Sequence, residues 1–146
     1  MIIVGEWLLC ADGVTRPTVR GAIHTAGGGL HNLIFMIDSG ADRSVFTASA
    51  LEQLRLEGSA PPAGYRLEGV GGPSAFVLVQ TAVELTRDDG APARIRGEYA
   101  AFLDPCALDF SILGRDVLDN FDSIQSRRRN QILLLAGNHH FQVMQR

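Results

Sequence analysis

Leu33-Ile34-Phe35-Met36-Ile37-Asp38-Ser39-Gly40-Ala41-Asp42-Arg43-Ser44-Val45-Phe46 runs five apolar residues straight into an acid. A run of that length, rich in branched and aromatic side chains and bounded by turn residues, reads as a strand buried on both faces. Asp38 then sits where a core strand ends. A carboxylate in that place must be paired, hydrogen-bonded or partly protonated, because leaving it charged and unpartnered in the interior is costly. That is the condition an acid-base catalyst needs.

Outward from this stretch, the pattern predicts short strands separated by Gly, Pro and Asp turns, the mark of an all-β closed or sandwiched sheet. Strands are expected over 2–9, 19–25 and 33–37, the last two joined as a hairpin through Gly27-Gly28-Gly29. Past Phe46, Ser49 and Glu52 have capping-box spacing and Leu51 and Leu54 share a face, which predicts one short helix. Residues 65–70 and 75–86 flank Gly69-Val70-Gly71-Gly72-Pro73 and read as a hairpin with a glycine-rich tip. No Gly-Lys-Ser/Thr follows, so it is not a phosphate loop. Asp88-Asp89-Gly90 turns the chain into a strand over 93–103 whose outer face carries Arg94, Arg96 and Glu98. A short apolar strand and a helix are expected around Ile112-Leu113-Gly114-Arg115-Asp116. Strand, basic turn and strand follow over 121–135, then a loop at His139-His140 and a last strand over 141–144.

Composition sets the bounds. The 146 residues, 46% of them hydrophobic, suit a single domain over 1–146 with a real core. All thirteen basic residues are arginine, which excludes Schiff-base lysine chemistry and a P-loop lysine. The net charge of −3 argues against nucleic acid as a partner, and Arg127-Arg128-Arg129 read as a solvated hairpin turn. No apolar run approaches a membrane span, and the first residues lack a basic leader and are broken by Glu6, so a soluble, cytoplasmic protein without a membrane partner is expected. Cys10 and Cys106 make no metal spacing and read as buried free thiols, and the His pair has no ligand partner at suitable spacing, so no metal site is expected.

Asp38-Ser39-Gly40-Ala41 after an apolar strand resembles the active-site motif of the aspartic proteases, Asp-Thr/Ser-Gly-Ala/Ser, and its continuation Asp42-Arg43-Ser44-Val45 looks like the retropepsin branch. Phe110-Ser111-Ile112-Leu113-Gly114-Arg115-Asp116 is similar to the family's second motif, an apolar strand followed by Ile-Leu/Ile-Gly-Arg-Asn/Asp and a short helix. The tail is similar to that of the DNA-damage-inducible retropepsin-like proteins. A glycine after two buried aliphatics lets the strand pass tightly behind the acid loop, and Arg115 offers a planar fork to an aspartate.

The resemblance implies an all-β, retropepsin-like closed barrel with one or two short helices, and with the glycine-rich hairpin as a flap over bound peptide. Asp38-Ser39-Gly40 occurs once, whereas pepsin-like enzymes carry two copies, so a homodimer is implied in which each chain supplies one Asp38. The implied activity is aspartic endopeptidase chemistry by two acids and a water, with no cofactor. Residue by residue, Ser39 braces the two loops across the interface, and Gly40, Ala41, Asp42 and Gly71 meet the peptide. Val45, Val70 and Ile112 line apolar side-chain pockets, and Arg115 pairs with Asp42. Arg43 stands where several relatives carry an acid or a neutral residue, which points to an acidic or polar side chain in an outer pocket. The alternative is a dimerising or peptide-binding module of the same fold with little or no hydrolysis.

Overall fold

Alternating apolar and polar residues with β-branched enrichment produce most of the chain's strands, and turn residues set their ends. The computed structural model describes residues 1–65, 67–69, 72–73, 75–137, 142 and 144. In chain order the elements are β1 (Ile2–Leu9), β2 (Thr15–His24), β3 (Leu30–Ile37), β4 (Val45–Phe46), α1 (Ala48–Leu54), β5 (Glu68–Gly69), β6 (Gly72–Pro73), β7 (Phe76–Thr86), β8 (Pro92–Phe102), β9 (Ser111–Leu113), α2 (Arg115–Leu118), β10 (Asp122–Ser126) and β11 (Gln131–Leu135). The His139-His140 loop and the expected strand at 141–144 fall, apart from Gln142 and Met144, outside the described residues.

The main sheet runs β10-β11-β1-β2-β3-β9-β4-β8-β7, and β7 pairs again with β2. Six strands, from β2 through β3, β9, β4, β8 and β7, thus follow one another in a closed circuit of ladders. β1 joins this circuit to the β10–β11 hairpin by dividing its partners: residues 2–5 pair with β11 and residues 6–9 with β2. The core inside is aliphatic and aromatic, with Ile23, Phe35, Phe46, Leu54, Val83, Leu85 and Leu113 fully buried. A smaller cluster of Val45, Phe76, Leu78, Ala100 and Phe102 stands beside it. On β8, Arg94, Arg96 and Glu98 are exposed as expected, while the end of the strand, Tyr99 to Phe102, is buried throughout. Burial pushes the Tyr99 phenol up to about 12, and its hydroxyl donates to the Ile95 carbonyl at 2.7 Å.

Two sequence expectations change. The N-cap of α1 is Thr47, not Ser49: the Thr47 side chain accepts from the Ala50 N–H at 3.2 Å, and Ser49 lies inside the helix. Helix entry is set by β4, which delivers the chain to Thr47 in extended conformation two residues early. Thr47→Ala should cost about 1 kcal/mol in chemical denaturation. Ser49→Ala should be neutral; the opposite ranking would restore the capping box. The free thiols also differ from expectation, since Cys106 is exposed and Cys10 only half-buried.

Where β2 meets β7, Glu84 ties three strands together. Its Oε2 accepts from His24 Nε2 of β2 and from Arg94 Nε of β8, the latter at 3.0 Å. The His24 hydrogen bond, aided by Arg94 and opposed by burial, holds the Glu84 carboxyl below its ordinary value. A carboxyl depressed on folding contributes stability that is complete above its unfolded value and is lost as pH falls through the folded one. Wild-type stability should therefore fall more steeply below about pH 4.5 than that of Glu84→Gln. Parallel denaturation profiles from pH 6 to pH 3 would contradict this.

Candidate active site

β3 and β9 lie parallel, with Phe35, Met36 and Ile37 beside Ser111, Ile112 and Leu113. Side chains alternate between faces along each strand. Phe35, Ile37 and Leu113 therefore enter the core, and Met36 and Ile112 turn the other way, onto a cleft. The strand expected to be buried on both faces is buried on one, and Ile112, read from sequence both as a buried aliphatic and as a pocket residue, lines that opening. β3 ends at Ile37, and the Ala41 N–H closes a turn onto the Asp38 carbonyl at 3.1 Å.

Asp38 is held at both ends. Its backbone N–H donates to the Leu113 carbonyl at 3.0 Å, and its Oδ1 accepts from the Gly40 N–H at 3.0 Å. Among the described residues that is the carboxylate's only hydrogen bond. A Cβ on residue 40 would stand 3.2 Å from the same oxygen, so glycine suits this close approach. Within one chain Asp38 is half-buried, at the foot of the cleft, rather than enclosed as the strand pattern implied.

The loop over 38–44 is fastened to the turn between β9 and α2. Arg115 N–H donates to the Ala41 carbonyl at 2.8 Å and Asp116 N–H to the Asp42 carbonyl at 3.3 Å. Ser44, fully buried, donates through its hydroxyl to Asp116 Oδ1 at 2.6 Å and through its N–H to both carboxylate oxygens, at 2.9 and 3.0 Å. The same hydroxyl accepts from the Gly114 N–H at 2.9 Å. Arg115 and Asp42 form the expected ion pair at the surface, both more than half exposed. Such a pair contributes little stability on its own, so the several hydrogen bonds between buried Ser44 and the exposed Asp116 carry the fastening.

The cleft measures about 680 Å³. Asp38, Gly40, Ala41, Asp42 and Arg43 form its polar side. Met36, Val45 and Ile112, from three neighbouring strands, form an apolar side that continues through Leu67, Phe102 and Leu108. The smaller core cluster stands behind this wall, with Tyr65, Leu67, Ala107 and Leu108 packed on it. β5 and β6 pair as a separate hairpin, Glu68 with Pro73 and Gly69 with Gly72, so Leu67 leads from the cleft straight into it.

Two solved structures share this architecture. The EIAV protease complexed with the inhibitor HBY-793 is 24% identical, with a TM-score of 0.51 over 71% of this chain and 86% of that one. A retropepsin-like aspartic protease from Rickettsia conorii is 16% identical, with a TM-score of 0.53 over 92% of this chain and 88% of that one. The fold is retropepsin-like. The retroviral protease-like domain of Ddi1 from Leishmania major overlaps more loosely, with a TM-score of 0.43. No protein-family model matches the sequence, and no curated protein does.

In this retropepsin-like chain, six residues singled out from sequence, Asp38, Gly40, Ala41, Asp42, Val45 and Ile112, meet on one cleft. Ser39 is exposed beside it, and Arg115 stands behind the loop on Asp42. Val70 and Gly71 lie outside the described residues. Sequence reasoning did not assign Met36, Tyr65, Leu67, Phe102, Ala107 or Leu108 to the cleft, nor Ser44 and Asp116 to its support. Period-2 alternation through Met36 was an available signal. Residues 65–67 and 107–108 are brought in only by tertiary packing.

A carboxylate in this position can give or take a proton. Asp42, the other acid on the cleft, is engaged by Arg115.

Proposed function

We propose that this chain is an aspartic endopeptidase that works as a homodimer, each protomer contributing Asp38. The observation that carries this reading is Asp38 itself: a half-buried carboxylate at the foot of an apolar-walled cleft, fixed by Gly40 and by a loop fastened to the Gly114 turn. Two such carboxylates close together cannot both ionise cheaply, so they share a proton and titrate as a pair; the aspartic-protease dyad is the standard example. The ionised member takes a proton from water, the protonated member polarises the scissile carbonyl, and the intermediate stays non-covalent. No metal or cofactor enters.

Ser39, exposed next to Asp38, bridges to its counterpart in a second chain in this reading. Gly40, Ala41, Asp42 and Gly71 serve the peptide backbone, Val70 serves a side-chain pocket, and the glycine-rich hairpin closes over the peptide. Met36, Val45 and Ile112 favour apolar residues at the cleaved bond. The setting we propose is the cytoplasm, supported by two free thiols. No helix among the described residues is long and apolar enough to cross a membrane. The test is cleavage of a mixed peptide library from acidic to neutral pH by wild type and Asp38→Asn, with sedimentation of the active species. No cleavage by either protein would favour a peptide-binding module.

A further inference from the structure

Arg43 is the only cation on the cleft among the described residues, and none of their carboxylates neutralises it. Arg16, Arg20, Arg87, Arg94 and Arg115 each reach a carboxylate. Arg43 makes no ion pair among the described side chains; its guanidinium instead lies over the Tyr65 ring, 4.4 Å from the centroid. Tyr65 is a fixed platform. Its ring packs on Phe76 at 5.3 Å between centroids, and its N–H donates to the Pro62 carbonyl at 3.1 Å.

A guanidinium carries its five N–H donors in its plane, so stacking one face on an aromatic ring orients the group and leaves its edges able to grip a carboxylate in two places. Neighbouring Asp42 does not consume that capacity, because Arg115 holds it. The adjoining walls of Leu67, Phe102 and Leu108 are apolar, and low-dielectric walls strengthen a charge pair formed between them.

We infer that the Arg43–Tyr65 stack is a specificity element that selects peptides carrying an aspartate or glutamate side chain a few residues from the apolar residues held at the cleaved bond. This rests on the proteolytic reading for where the peptide lies, but it concerns binding and is tested without turnover. Tyr65 acts through its face. Its hydroxyl is buried with no hydrogen-bond partner among the described residues.

The experiment uses the full chain carrying Asp38→Asn and a peptide set with an apolar central pair. Each outer position is aspartate, asparagine or lysine in turn, and binding is followed by fluorescence anisotropy. At one outer position aspartate should bind roughly tenfold tighter than lysine, the scale of a charge-assisted hydrogen-bonded pair. Adding Arg43→Gln should flatten the preference, and Arg43→Glu, an exposed change, should invert it. Tyr65→Phe should keep it and Tyr65→Leu should weaken it, since only the first retains the stack. Equal binding of aspartate and lysine peptides at every position overturns the inference, as does a preference that survives Arg43→Glu, or no binding of any peptide. A preference that behaves as stated while the wild type cleaves nothing sinks the protease reading alone.

Discussion

Asp38→Asn should lower kcat by at least about a thousandfold, the range set by losing a positioned acid-base group, while peptide binding and fold should persist. Asparagine has the same shape, and its Oδ1 can still accept the Gly40 N–H, so the turn at 38–41 has no reason to rearrange. What it cannot do is hold or release a proton. The dimer adds a second, sharper expectation. Wild type mixed with an equal amount of the variant should lose about half its activity, because random pairing of protomers puts half of the intact acids opposite an asparagine. A monomeric catalyst would keep all of it. Hydrolysis that survives the substitution, or that sediments with a single chain, removes the paired-acid mechanism.

Gly114→Ala has the largest expected effect on stability. A Cβ at 114 would stand 2.5 Å from the Arg43 carbonyl carbon, 2.6 Å from its oxygen and 2.9 Å from the Ala41 oxygen. All three are backbone atoms, so no rotamer change relieves the contact. Either the acid loop or β9 must move, and each is held by the other. Pushing them apart strains the Ser44 hydroxyl bond to Gly114 and the Asp116 carboxylate bonds behind it. Overpacking at so rigid a place should cost about 3 kcal/mol, which for a chain of this length lowers Tm by roughly 10 °C. Thermal unfolding measures it. A variant within a degree or two of wild type would mean that the loop and strand are less tightly fastened than these distances require.

Much of this arrangement is legible in the sequence. Five apolar residues ending in Asp-Ser-Gly place an acid at a strand end, Gly114 announces a close passage, and the Arg115–Asp42 pair follows from the family motifs. Ladders set by alternation, such as β7 with β8, are legible for the same reason that period 2 is rigid. Other features depend on what lies opposite. Met36 looks like core until β9 is set beside it, leaving its face uncovered in one chain. Ser44 is an ordinary loop serine until Asp116 arrives seventy-two positions later to accept its bonds. Ser49 has the right spacing for a cap, yet Thr47 takes the role because β4 fixes the entry angle. Tyr65 and Leu108 reach the cleft through packing that no local pattern records.

The parallel alignment of β3 with β9 has a consequence for the order in which this protein comes into being. Asp38 N–H finds its acceptor on Leu113, and the β2–β3 hairpin that delivers the acid is complete in sequence long before β9 is synthesised. Local hairpins form early, whereas contacts between distant segments must wait for loop closure. A chain still emerging from the ribosome therefore carries Asp38 without the framework that aims it. If the proposed activity holds, that delay keeps the nascent chain silent by topology alone.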